Sequence, residues 1–261
     1  MPKITPLSKT GHANLRIKAP THYKEFINVS VLPVYAFEAN IVATAYPLIF
    51  IKNEEKFSLV LPCSLSEELP SAWISKDGTW LPKYLPAIIR QPPFKIAPTK
   101  EGEWVLCIDE ESALIDDDGD LIFNEDGSAT EYLAAKSKLL KGLHQHAIIT
   151  EKIVNLLQEL NLLIPRGIKV AEPGAAPRDV EGIYCVDEQK LNDLSDENWL
   201  KLKNQGAIPT IYAHLLSIRN FNKLLQGVMD RVTIDRQLSK LNSSLEGLFG
   251  EESETLDFDN L

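Results

Sequence analysis

Trp80-Leu-Pro-Lys-Tyr-Leu-Pro-Ala-Ile-Ile-Arg-Gln-Pro-Pro-Phe94 sets four prolines and three aromatic rings around one guanidinium, that of Arg90. Each proline fixes φ, removes a backbone donor and drives the residue before it toward extended geometry. No regular helix or central strand can run through such a segment. It must be a rigid connection whose rings lie against an apolar layer. Two readings follow. The structural one is a belt closing a small β-layer. The functional one is a binding rim: Trp73, Trp80, Tyr84 and Phe94 present amphipathic rings, and Arg90 clamps an anion or carboxylate.

The chain before and around the belt reads as β-rich. Gly11-His-Ala-Asn-Leu-Arg-Ile17 predicts a short strand. Tyr46 to Ile51 and Phe57 to Leu61 predict a hairpin with a longer loop at Lys52-Asn-Glu-Glu-Lys56. Asp77-Gly78 is a turn leading into Trp80, and Glu103 to Ile108 predicts another strand. Two acidic turns, Asp116 to Asp120 and Asn124 to Gly127, bracket a short strand at Leu121-Ile-Phe123. From Thr130 the apolar period becomes helical through Leu133, Leu139, Leu140 and Leu143. It resumes through Ile153, Leu156, Leu157 and Leu160 after an expected cap at Thr150, and Pro165 ends it. Lys169 to Arg178 is the most evident loop, and Ile183 to Val186 a strand. Helices follow through Leu191 and Leu194, behind a Ser195 cap, and from Pro209 through Ile211, Leu215, Ile218, Phe221 and Leu225. Ile234, Leu238, Leu241, Leu245 and Leu248 form a seam of about two heptads, suited to docking on the body or to pairing in a homodimer. The expected fold is α+β: a β-rich part over 1–128 with the belt, a mainly helical part over 129–248, and an acidic tail over 249–261. Cys107-Ile-Asp-Glu and Cys185-Val-Asp-Glu echo each other as strand ends followed by a capping Asp.

Tyr84-Leu-Pro-Ala-Ile-Ile-Arg90 with Pro93-Phe94 resembles the YxPAxxR…PF core of the SapC family of bacterial proteins. Asn28 to Glu38 and Ala45 to Ile51 are similar to that family's N-terminal pattern. Gly182 to Glu188 and Gly206 to Ser217 are similar to its C-terminal half, in the same order. Gln91-Pro92 departs from the family's more usual basic or aromatic pair. The resemblance runs from about residue 10 to 228 and brings no catalytic residues with it. It implies a link to bacterial surface layers, from which the family takes its name. Many members lie beside TonB-dependent receptor and halogenase-like genes, which points toward outer-membrane uptake.

The formal charge of −10 speaks against nucleic-acid or anionic-membrane partners, which require clustered Lys and Arg. Cys63, Cys107 and Cys185 are far apart, odd in number and without metal-type spacing, as expected of buried thiols in a reducing cytoplasm. Met1-Pro-Lys-Ile-Thr-Pro6 lacks the apolar run of a secretory leader. The most apolar segment, Ala39 to Ile51, is too short for a membrane span and contains Asn40, Thr44 and Pro47. A transport permease that shares the SapC label needs several spans, so the expected protein is a different, soluble and cytoplasmic one.

Candidate chemistry is sparse. An EF-hand needs oxygen ligands at positions one, three and five before a glycine at six. Counting back from Gly119 places Leu114 first, and from Gly127 places Ile122 first, so both frames fail. His144 and His146 point apart on a helix and make no ligand pair, so no metal or other cofactor is expected. His214 lies one turn ahead of Ile218 on an apolar face, either as a core histidine or as a general base. Glu38 sits in an apolar segment and needs a cationic partner, for which Arg90 is the candidate. The leading expectation is a non-enzymatic factor that binds a peptide or protein partner. The alternatives are an accessory peptide-modifying enzyme using His214, Glu38 or Asp187, and a structural surface-layer component.

Overall fold

The computed structural model describes residues 3–99, 102–170 and 178–249. In chain order the first half supplies β1 (Ile4–Pro6), β2 (Arg16–Ile17), β3 (Val31–Pro33) and the short helix α1 (Ala39–Val42). It continues with β4 (Ile49–Asn53), β5 (Lys56–Pro62), β6 (Phe94–Pro98), β7 (Trp104–Asp109) and β8 (Asp120–Leu121). The second half supplies α2 (Glu131–Glu159), β9 (Leu163–Pro165), β10 (Ile168–Val170), β11 (Arg178–Val180) and β12 (Ile183–Val186). It ends with α3 (Glu188–Asn192), α4 (Asp196–Asn204), α5 (Ala207–Ser217) and α6 (Phe221–Phe249). The fold is α+β, with most strands early and the longer helices late.

The main sheet has the order β3–β5–β4–β12–β9, every pairing antiparallel. β12 is a central strand: Tyr184 pairs with Phe50 of β4 on one side and with Pro165 of β9 on the other. Residues on either side of position 128 thus share one sheet. β4 and β5 pair as far as Asn53 and Lys56, which leaves only Glu54 and Glu55 in the turn, with Glu54 at φ 53°. The expected longer loop is therefore a two-residue hairpin turn of left-handed character. A smaller sheet, β1–β7–β6, carries its own core of Phe94, Ile108, Leu133 and Leu140. The strand expected over Gly11–Ile17 contracts to β2, which pairs with β8. A Cβ on Gly119 would meet the Ile17 carbonyl carbon at 2.5 Å, so only glycine admits that close pairing.

Thr130 caps α2 by accepting the Leu133 N–H at 3.4 Å. Thr150, expected as a second cap, lies mid-helix. Its hydroxyl donates to the His146 carbonyl at 2.7 Å and accepts the Ala36 N–H at 2.8 Å, so a tertiary bond and not a helix start explains the threonine. The result is one helix of 29 residues. Leu133 and Leu140 of α2 enter the small core, and Ile153, Val154 and Leu157 enter the main one.

The helix expected from Pro209 through Leu225 is interrupted. α5 ends at Ser217, a 3-10 turn spans Ile218–Asn220, and α6 starts at Phe221. Ser217 Oγ accepts the Leu48 N–H at 2.8 Å, and Asn220 Nδ2 donates to the Ala43 and Tyr46 carbonyls at 2.7 and 3.1 Å. These bonds fix the turn to the segment entering β4, which is why it does not continue as regular α-helix. In the expected seam Ile234 is exposed, while the side chains of Leu238, Leu241, Leu245 and Leu248 lie outside what the structure describes. The acidic tail from residue 250 onward likewise lies outside the described residues. The loop read over Lys169–Arg178 has paired ends, Val170 opposite Arg178, and its residues 171–177 are also outside them. Among the described residues no helix is long and apolar enough to cross a membrane.

Candidate functional site

The belt contains one 3-10 turn, Ala87–Arg90, whose underside Ala87 and Ile89 is buried. Ahead of that turn, Trp80 and Tyr84 are half-buried. The proposed rim is divided by the fold. Trp73 is interior, its indole N–H donating to the Pro62 carbonyl at 2.9 Å and its ring edge-on to Tyr46 at 5.1 Å. Phe94 is wholly interior and belongs to the small core. Burying a large apolar side chain stabilises by about 1.5–3 kcal/mol, enough to hold both rings inside. Neither ring offers surface to a partner.

Trp80, Tyr84, Glu38 and Arg90 do come together, through hydrogen bonds the sequence does not display. The Trp80 indole N–H donates to the Tyr46 hydroxyl at 2.7 Å, and that hydroxyl donates to the Tyr84 carbonyl. Tyr84 donates its own hydroxyl proton to Glu38 Oε2 at 2.8 Å, and the Ala87 N–H donates to the same oxygen at 2.9 Å. Glu38 Oε1 accepts the Tyr35 N–H at 3.4 Å. Arg90 Nη2 reaches the Tyr84 hydroxyl at 3.3 Å, with its guanidinium over the Tyr84 ring. The expected direct Glu38–Arg90 pair is thus bridged by a phenol. Burial, reinforced by the adjacent Glu38 carboxylate, pushes the Tyr84 hydroxyl up to about 12, so Tyr84 stays a proton donor.

Lys136 of α2 completes the group, its Nζ donating to the Arg90 carbonyl at 2.9 Å. Burial, and then the Arg90 charge, lower its pKa. Beside this network lies a groove of about 740 Å³, lined by Ile88 and Pro92 of the belt together with Phe26, His22, Glu111 and Ser112. A recess of about 200 Å³ adjoins it and contains Arg90 and Lys136. Glu25, Pro92 and Leu114 line both spaces, so the two are neighbours.

His214 lies elsewhere, in the main core. Its Nδ1–H donates to the Leu48 carbonyl at 2.9 Å, and its Nε2 accepts the Val186 N–H at 3.1 Å. Burial pushes its pKa down to about 4, so the ring is neutral and both nitrogens are engaged by backbone. Ser217 donates to the His214 carbonyl, not to the ring, so the two form no nucleophile–base pair. Asp187 accepts the Gln189 and Lys190 N–H groups and caps α3. His144 packs against Trp104 with ring centroids 3.8 Å apart, and His146 against Phe37 at 4.2 Å. Among the described residues no three His, Cys, Asp or Glu side chains gather as a metal site. Cys63, Cys107 and Cys185 are free and buried, and burial lifts the Cys63 thiol to about 12.

A model of the SapC family matches residues 7–224. The chain belongs to the SapC family. No curated protein and no solved structure matches it. The matched span of this SapC chain includes the belt, the Glu38–Tyr84–Arg90 network, Lys136 and the residues lining the groove. Lys136, Tyr46 and Glu25 are the site residues that sequence reasoning missed. The lysine sits among leucines at helical spacing and the glutamate in an irregular segment, so neither had a local signal.

Proposed function

We propose that this SapC-family protein binds an extended peptide or a protein segment in the groove along its proline-pinned belt, as an accessory factor and not as a catalyst. The observation that carries the reading is the groove itself, about 740 Å³, with apolar Ile88, Pro92 and Phe26 beside charged Glu111 and Lys95. An apolar floor with a few placed polar groups is the make-up of a preformed binding site. The belt's prolines keep its backbone from adapting, which lowers the ordering cost of association. In this reading the partner belongs to the bacterial envelope and outer-membrane uptake, as the family's name and gene neighbourhoods suggest. The three buried free thiols fit a cytoplasmic place of action.

The test is a selection of random decapeptides displayed on phage against the full chain. Enriched peptides are then measured by fluorescence polarisation against the parent and Ile88→Asp. Loss of binding by about tenfold or more in the variant, equivalent to about 1.4 kcal/mol, supports the groove. Failure to enrich any peptide, or equal affinity for both proteins, overturns it.

A further inference from the structure

The recess beside the groove is lined by two cations, Arg90 and Lys136, and among the described residues neither makes a direct ion pair. Arg90 has five N–H donors, yet among the described residues its one side-chain hydrogen bond is the 3.3 Å contact to Tyr84, and its Nε is buried without a partner. Among the described residues Lys136 meets neutral partners alone, the Arg90 carbonyl and the Tyr132 ring. Glu38, the carboxylate behind Tyr84, is occupied by the Tyr84 hydroxyl and the Ala87 N–H. Glu25, which also lines the recess, is exposed and makes no ion pair with either cation. Arg90 is half-buried, and its Nε, cut off from water with its donor unmet, is in an unfavourable state unless a ligand completes it. The remaining walls, including Leu85, Ile89 and Leu139, are apolar.

We propose that Arg90 and Lys136 together form a carboxylate site, which takes one carboxylate carried on a short hydrocarbon stem. The planar guanidinium matches a carboxylate edge, and the ammonium supplies a second charge-assisted donor. A volume of about 200 Å³ suits a side-chain-sized group, and its apolar walls favour a hydrocarbon-borne anion over a fully hydrated phosphate. Glu25, Pro92 and Leu114 line the recess and the groove alike, so we assign the carboxylate to a peptide lying in the groove, as an acidic side chain or a C-terminus. That source rests on the groove reading; the carboxylate site does not.

The decisive measurement is the ¹⁵N–¹H resonance of Arg90 Nε in the full chain, titrated with butanoate at constant ionic strength. Chloride and inorganic phosphate serve as comparisons. A saturable shift with butanoate, weakened about tenfold or more in Lys136→Met and Lys136→Gln, supports the site. A response no different from chloride overturns the site, and tighter saturation by phosphate overturns the carboxylate assignment. Unchanged affinity in both lysine variants, with native melting curves, removes Lys136 from it. Selected peptides are then compared as free acids, as C-terminal amides and with Glu→Gln changes. Loss with the amide assigns the C-terminus, and loss with Gln assigns a side chain. Loss with neither overturns the peptide source. Peptides that depend on Ile88 while butanoate fails to bind leave the groove standing and remove only the recess.

Discussion

His214 shows how a residue that looks chemical becomes structural. Its two nitrogens join the Leu48 carbonyl at the entry to β4 to the Val186 N–H at the end of β12, so it pins α5 to two neighbouring strands. The folded protein holds the ring neutral down to about pH 4, whereas the unfolded chain takes up the proton near pH 6.5. This contribution is therefore whole above about pH 6.5, falls as the pH drops, and is gone below about pH 4. The loss over that window is about 3 kcal/mol, or about 1.4 kcal/mol per pH unit within it. Urea midpoints at several pH values should show that slope in the parent and lack it in His214→Gln; equal slopes would assign the acid sensitivity elsewhere. Glu38 was legible at this scale because a carboxylate beside Phe37 in an apolar segment must find partners. Its true partners, the Tyr84 hydroxyl and the Ala87 N–H, were not, because the reach of a side chain across a fold has no local trace.

Helix α2 carries the element-scale lesson. The leucine spacing predicted helix on both sides of Thr150, and the residue type suggested a cap between them. The structure gives the threonine hydroxyl to Ala36 and keeps the helix whole. Capping residues are read by type, and a buried tertiary bond uses the same hydroxyl. The mirror case is the α5–α6 junction, where unbroken helical spacing hid a turn held by Ser217 and Asn220. Gly142 lies within α2, and a Cβ added there meets no atom within 4 Å. Gly142→Ala should therefore raise stability by about 0.5–1 kcal/mol, read as a higher urea midpoint with an unchanged m-value. An unchanged or lowered midpoint would mean that this part of α2 is not regular helix.

For the molecule as a whole, the fold class was legible because the apolar period turns helical near Thr130. The joining of the parts was not: β12 enters the main sheet between β4 and β9, and α2 feeds both cores. Pairings between distant segments are fixed by packing and leave no periodicity. The shared helix predicts a single cooperative unfolding. In protein labelled with 5-fluorotryptophan, the native ¹⁹F signals of Trp104 on the small sheet and Trp73 in the main core should vanish at the same urea concentration. Separate midpoints would show two independent units. Lys136 lies on α2 between Leu133 and Leu140, the two side chains by which the helix grips the small sheet. Anything that immobilises its ammonium also fastens that grip. Deuterium uptake at the amides of β6 and β7 would then slow as the pocket fills.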